Sequence, residues 1–370
     1  MKNKILRCSG IVLMLLGCSS QAQILIGQTA GITGPVSAGV KETTDGAKLY
    51  FDAINAKGGI AGQKIELISL DDKFDPKIAA ENARKLIEEK NVVALFLTRG
   101  TPHTEAIIPL LDKYAIPLVG PSTGSMVLHQ PVVKHVFNVR ATYQREAEKA
   151  VAHLSSMGIK RIGMVYSDDS FGRDGVTGAQ KGLASAGLQP VVLEKFNRAT
   201  PDFGPIAPKV NQSNAQAVII IAGNQAVVDA LKAIRAAGST AQIVTLSNNA
   251  STGFIKSLGE SGRGTIVTQV FPNERSIAYP LVKEALEMAK AKGSAEVSPA
   301  MLEGFAAAKV LVESLRRAGP KPDREKIQAA LEGMRSLDIG GLEISYSPQD
   351  HTGLDFADLS IIGSDGRFKR

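Results

Sequence analysis

The apolar positions of the chain follow two patterns in turn. Short runs such as Val92 to Leu97 are apolar without interruption, whereas the stretches between runs place apolar residues three or four positions apart. Unbroken runs suit parallel strands covered on both faces, and the wider spacing suits amphipathic helices. This reading predicts strands over 24–27, 64–70, 92–97, 116–119 and 135–139, then over 161–166, 191–196, 217–222 and 243–246. Helices fill most of the gaps, so the pattern implies parallel sheets with helices on both faces. From Ile277 it turns mostly helical, and short strands around Ile344 and over 359–362 close the chain.

Local chemistry sharpens the boundaries. Asp75-Pro76 offers an N-cap and a first-turn proline for a helix to Glu89, and Ser298-Pro299 does the same for one carrying Phe305, Val312 and Leu315. Gly319-Pro320 stops that helix. Thr101 is the expected N-cap of a helix from Pro102 to Tyr114 with Ile107, Leu110, Leu111 and Tyr114 on its buried stripe, and a first helix is expected over about 44–56.

Two turns then stand out. Thr98-Arg99-Gly100-Thr101-Pro102 and Gly120-Pro121-Ser122-Thr123-Gly124 follow neighbouring strands. Loops at the carboxyl ends of parallel strands bind ligands, and helix N-termini there present free N–H groups to anions. A guanidinium at Arg99 with hydroxyls at Thr101, Ser122 and Thr123 points to a carboxylate; the plainer reading is that these residues only cap and turn the chain. The glycines at 27, 31, 34 and 39 miss the spacing of a dinucleotide fingerprint. Asp71-Asp72 has no histidine or third acid nearby in sequence, so turn and capping roles are expected over a metal site. No cofactor and no metal are expected.

Composition limits the partners. At 370 residues the chain is long enough for two domains. It has no tryptophan and few aromatics, which argues against nucleic-acid stacking platforms, and no basic run suggests DNA. Of the net charge of +7, three units come from Lys2, Lys4 and Arg7 at the front of an export signal. That signal continues with an apolar run over 11–16, too short to span a bilayer, and the small-residue site Ser20-Gln21-Ala22. A rival reading takes Leu15-Leu16-Gly17-Cys18 as a lipoprotein box, but Leu16 is unusual there and Ile24 follows too soon for a tether. Release after Ala22 is therefore the expectation, with both cysteines, Cys8 and Cys18, removed.

The stretch 55–62 (NAKGGIAG), Asp71-Asp72, Asp75-Pro76, the Ile116-Pro117 strand into Pro121-Ser122-Thr123, and Tyr166 to Gly172 (YSDDSFG) together resemble the substrate-binding proteins of ABC importers, in the leucine/isoleucine/valine-binding branch. The resemblance covers nearly the whole chain after the leader. It implies two doubly wound α/β lobes with parallel central sheets, joined by a three-segment hinge and closing on a ligand between them. Residues 23–141 and 269–345 would form one lobe and 142–268 with 346–370 the other, with crossings near Ala141, Thr268 and Tyr346. It also implies a periplasmic monomer that serves an inner-membrane ABC permease.

By position, the resemblance assigns the ligand to Arg99, Gly100, Thr101, Ser122, Thr123 and Gly124 of the first lobe and to Phe171, Asn224 and Asn248 of the second, with Tyr143 near the hinge. Two departures matter. Amino-acid binders of this kind carry an acid near Asn248 to meet the ligand ammonium, and a small hydroxyl residue where Arg99 stands. An amide cannot offset the desolvation of an ammonium as a carboxylate does. A carboxylic acid without a free α-amino group, held by Arg99, is the expected ligand, with branched-chain or aromatic amino acids and amides as the wider class.

Two other functions compete. Gly120-Pro121-Ser122-Thr123-Gly124 also fits the G-x-S-x-G nucleophile elbow of a serine hydrolase, with Asp338 and His351 completing the chain order. Pro131, however, limits the helix after Ser122 to about two turns, where an elbow feeds a long one. The other histidines, His103, His129, His135 and His153, lack the HExxH spacing. A ligand-sensing receptor of the same fold is the third reading.

Overall fold

The structure, a computed structural model, describes residues 23–294 and 296–370. The export signal and both cysteines lie outside the described residues.

The first sheet is built from β1 (Gln23–Ala30), β2 (Lys64–Asp71), β3 (Ala94–Phe96), β4 (Leu118–Val119) and β5 (Val136–Phe137), all parallel, in the order 2-1-3-4-5. On one face lie α2 (Pro76–Glu88) and α3 (Thr101–Tyr114), whose Leu86, Ile107 and Leu111 are fully buried. Helix α1 (Ser37–Ala56) contributes Leu49, Phe51 and Ile54 to the other core.

The chain then builds a second sheet. Helix α4 (Tyr143–Ser156) leads to β6 (Ile162–Ser167), α5 (Ser170–Ser185), β7 (Leu193–Phe196), α6 (Ile206–Gln212), β8 (Ala217–Ile221), α7 (Asn224–Ala236), β9 (Gln242–Thr245), α8 (Thr252–Leu258) and β10 (Ile266–Gln269). Its parallel part runs 7-6-8-9-10, which repeats the winding of the first sheet strand for strand.

Helices α9 (Pro280–Ala291), α10 (Pro299–Ala318) and α11 (Arg324–Glu332) return to the first core, followed by a small hairpin of β11 (Leu337–Asp338) and β12 (Glu343–Ile344). Strands β13 (Asp358–Ile362) and β14 (Phe368–Lys369) then extend the second sheet in antiparallel fashion. Helices α1 and α10 touch backbone to backbone. A β-carbon on Gly46 would fall 1.9 Å from the Met301 carbonyl oxygen, and one on Gly304 1.8 Å from that of Thr43.

Several boundaries differ from the sequence reading. Helix α1 begins at Ser37, not near Thr44. Gly39 and the paired threonines weaken local helix preference, but Thr43 returns its hydroxyl to the Gly39 carbonyl at 2.8 Å, and Val36 and Val40 bury against Ala30. Thr101 is not the cap of α3. The cap is Gly100 with φ +94°, and the Thr101 hydroxyl pairs with Thr123 at 2.7 Å instead. The crossing placed near Tyr346 falls later: Tyr346 and Leu354 pack in the first core, Leu354 N–H donates to Val139 at 2.9 Å, and the second sheet resumes only at Asp358.

Candidate functional site

In each sheet the strand order reverses once, between β1 and β3 in the first and between β6 and β8 in the second. Ligands of open parallel sheets bind beyond the strand ends at such a reversal. The loops after β3, β6 and β8 therefore carry Arg99, Phe171 and Asn224, and β9 adds Asn248.

Arg99 is the centre of the arrangement. The backbone turns sharply after β3, with Leu97 at φ +54° and Gly100 at φ +94°, and Arg99 forms a lone bridge with Ser122. Its side chain is only 5 % exposed. Nη1 donates to Ser122 Oγ at 2.8 Å, and Nη2 crosses between the lobes to donate to the Asn248 carbonyl at 2.6 Å. Both partners are neutral, and among the described residues no carboxylate pairs with this guanidinium. Buried cations are usually paired, so this one is poised for an anion.

The remaining expected residues surround it. Gly124 must be glycine: a β-carbon there would lie 2.5 Å from the Ala141 carbonyl, and its own carbonyl accepts from Tyr143 N–H at 2.7 Å. Tyr143 opens α4 and meets Phe171 edge to face at 4.8 Å. Burial pushes the Tyr143 phenol up, with Arg140 and Arg99 opposing. Asn248 donates Nδ2 to the Ala222 carbonyl at 3.0 Å. Asn224 starts α7, buried, with no partner on either amide atom among the described residues.

The turn roles expected of Asp71 and Asp72 hold, but the residues they position escaped the sequence reading. Asp71 and Asp72 are turn residues: Asp71 accepts from Lys73 N–H at 2.9 Å and Asp72 from Phe74 N–H at 2.9 Å, which holds Lys73 and Phe74 at φ +51° and +60°. Consecutive left-handed non-glycine residues are strained and mark functional turns, but that signal appears only in the folded backbone. Phe74 stacks on His103 at 4.3 Å, and burial pushes the His103 imidazole down to about 4. From the other lobe, Arg198 lays its guanidinium 5.2 Å from the Phe74 ring and 5.8 Å from Phe171. Nothing in the sequence around Arg198 announces this contact. Asp72 itself, buried beside Asp71, is pushed up to about 6.

Further contacts hold the lobes together. Glu42 of α1 accepts from the N–H groups of Thr252 and Gly253 at 3.0 and 2.8 Å, placing a carboxylate on the N-terminus of α8. Glu105 of α3 accepts from the Ser170 hydroxyl. Gly253 approaches so closely that a β-carbon on it would lie 2.5 Å from Ala38 Cβ. A cleft of about 810 Å³, lined by Phe74, Pro102, Asp169, Phe196, Arg198 and Gly223, leads inward. Behind Phe74 and Arg198 it narrows to a chamber of about 20 Å³ lined by Arg99, Tyr143, Phe171 and Asn248, with no Asp or Glu among its described lining residues.

The hinge carries a second buried arginine. Arg140 donates to Glu146 and to Ser247 Oγ at 2.7 Å, lies 3.8 Å from Glu303 and covers the Tyr143 ring at 4.6 Å. Glu146 also accepts from Ser247 N–H at 2.9 Å and from the Thr268 hydroxyl. Burial pushes the Glu146 carboxyl up, opposed by Arg140, while Glu146 raises the guanidinium despite its burial.

The hydrolase constellation does not assemble. The Ser122 hydroxyl accepts from Arg99, and Asp338 caps the hairpin turn through Gly340 N–H at 2.8 Å. His351 stacks on Phe137 at 4.0 Å with Nδ1 at 3.0 Å from the Val136 carbonyl. Only a short 3₁₀ turn, Met126–Leu128, follows Ser122.

Two sheets of one winding with a ligand-sized cleft between them define a two-lobed binding protein. The profile of the family described as "Periplasmic binding protein" matches residues 23–357, and the chain belongs to that family. Its members are binding proteins. Among relatives, the chain is 23% identical over 333 residues to a Leu/Ile/Val-binding protein homolog 3 of Brucella melitensis, covering 89% of this chain and 88% of that one. A substrate-binding periplasmic protein of Ralstonia solanacearum superposes with TM-score 0.86 at 31% identity, over 94% of this chain and 99% of the other. A branched-chain amino acid ABC transporter protein of Thermus thermophilus with bound valine shares the fold at TM-score 0.82 and 19% identity, over 94% and 95% of the two chains.

Proposed function

We propose that this protein is an extracytoplasmic solute-binding protein that closes its two lobes on a small carboxylate and presents it to an inner-membrane ABC permease. The observation that carries the carboxylate is Arg99, a buried guanidinium with neutral protein partners at the strand-order reversal. Its two-oxygen geometry suits a planar fork of donors, and charge-assisted pairs of this kind are stronger than neutral ones. Ser122, Thr101 and Thr123 supply hydroxyls beside it, and Gly100 and Gly124 let the backbone approach. Phe171 and Tyr143 form the apolar wall, and Asn224 and Asn248 close from the second lobe.

Relatives named as Leu/Ile/Val-binding proteins support an amino acid or a close derivative. The carboxylate-free chamber supports the deaminated acid within that class, because an ammonium would be buried without a counter-charge. Closure follows from sharing the ligand between lobes: contacts made to both exist only in the closed state, so binding shifts the population toward it. Strand β1 pairs with β2 from Gln23 onward, which supports release after Ala22 over anchoring at Cys18, and the protein is expected to act as a monomer.

Thermal unfolding of refolded, ligand-stripped protein tests this reading. A ligand at about a hundred times its Kd adds ~2.7 kcal/mol of stability. Branched-chain and aromatic acids lacking the amine should raise the midpoint, and Arg99→Met should abolish the rise. A response to leucine or phenylalanine alone would reject Arg99 as the sole determinant of charge.

A further inference from the structure

Four buried amide atoms of the second lobe have no partner among the described residues: Nδ2 and Oδ1 of Asn224, Oδ1 of Asn248 and Oδ1 of Asn249; the three on Asn224 and Asn248 belong to residues expected at the ligand. Unpaired buried polar atoms are uncommon and each carries a desolvation cost, so three in one place ask for a chemical reason. Asn248 has only one orientation that works. Its Nδ2 donates to the Ala222 carbonyl, which can only accept, and Oδ1 is therefore left as a bare acceptor. Asn224 offers one acceptor and one donor group whichever way its amide is turned.

Both residues lie close to Arg99. Arg99 Nη2 is 2.6 Å from the Asn248 carbonyl. A β-carbon built on Gly39 would lie 3.4 Å from that same Nη2 and 3.7 Å from Asn224 Oδ1, so the guanidinium and the Asn224 amide converge over the bare backbone of α1. A carboxylate on Arg99 would bring the carbon next to it toward these two residues.

Resting on the carboxylate reading above, we propose that the ligand is a 2-hydroxy acid. A hydroxyl on that carbon donates to Asn248 Oδ1 and accepts from Asn224 Nδ2, satisfying both sides at once. An oxo group has no proton to donate and leaves Asn248 Oδ1 bare. A plain acid leaves all three atoms unmet. An ammonium can donate to both oxygens, but it adds a second buried cation beside Arg99 with one carboxylate to balance two charges, whereas a hydroxy acid anion leaves the closed site neutral. Sites built to hydrogen-bond a hydroxyl discriminate strongly against analogues that lack it, because their own polar groups are then buried unpaired.

The test is calorimetric titration of refolded protein with four compounds on one skeleton: 2-hydroxyisocaproate, 2-oxoisocaproate, isocaproate and leucine, repeated on the phenylpropanoate skeleton. The hydroxy acid should bind at least about tenfold tighter than the other three on whichever skeleton fits. Asn224→Leu removes no hydrogen bond of the protein, so it should fold as the parent does and bring hydroxy and plain acid to within about threefold of each other. Asn224→Asp should weaken the hydroxy acid and favour leucine, since the new carboxylate balances an ammonium. Equal affinity for hydroxy and plain acids, or tighter binding of the oxo acid or of leucine by the parent, overturns the hydroxyl assignment while leaving a carboxylate site. Binding of none of the four overturns the carboxylate reading and this inference with it.

Discussion

Arg99 and Arg140 are both buried guanidiniums, and the company they keep separates them. Arg140, at the hinge, is 1 % exposed and meets Glu146, Glu303, Ser247 and the face of Tyr143. Arg99, in the cleft, is 5 % exposed and meets a hydroxyl and a backbone carbonyl. Desolvating a charge costs several kcal/mol in either place. At the hinge the protein offsets that cost with its own carboxylates, and the result is architecture. In the cleft the protein supplies only neutral partners, and the proposed function leaves the balance to an anion from outside.

This contrast can be broken most sharply at the hinge. Glu146→Gln leaves Arg140 short of its counter-charge and should cost about 3–5 kcal/mol of unfolding free energy, read from the denaturant midpoint. Arg99→Met should do the opposite: it should lower carboxylate affinity by at least about a hundredfold, yet leave ligand-free stability equal or higher, because it removes an unpaired buried charge. Loss of ligand-free stability comparable to that of Glu146→Gln would place Arg99 among the architectural residues.

A third change concerns the turn that aims Phe74. The folded-state value of Asp72 is raised from 3.8 to about 6, so ionisation is disfavoured in the folded chain. The favourable contribution is therefore complete below about pH 4 and is lost as pH rises toward 6. Relative to Asp72→Asn, the wild-type protein should lose stability across that window and change little above it, as followed by denaturant midpoints. The smallest effect should come from Ser122→Ala, which removes one neutral acceptor from Arg99 and should weaken ligand binding by about tenfold or less, with no change in fold, measured by titration.

The architecture was legible because its signals are local. Asp75 accepts from Lys77 N–H at 2.7 Å and Ser298 from Met301 N–H at 3.2 Å, so both predicted caps act as caps, and strand and helix alternate as the apolar pattern requires. The start of α1 was not legible, because packing of Val36 and Val40 against Ala30, not local preference, draws that segment into helix. The same division runs through the site. Arg99 and Ser122 follow adjacent strands, so their meeting could be foreseen from strand order. Phe74 and Arg198 meet across the cleft from different lobes, and Asn224, placed by the resemblance alone, has no residue pattern of its own that announces the partners its amide lacks among the described residues. Such contacts depend on the angle between lobes, which no run of residues encodes.

The close approach of Gly253 to Ala38 gives that angle a fixed end point. A bare backbone meeting a single methyl group would act as a mechanical stop in the closure proposed above, so the travel of the lobes would be set by the chain and not by the size of the cargo. On the proposed function, any ligand small enough to let the stop engage would produce the same outer contour for the permease to grip. A larger one would hold the stop open and change that contour, which would make the gap at Gly253 a gauge: the protein would report whether its cargo fits as well as whether it is there.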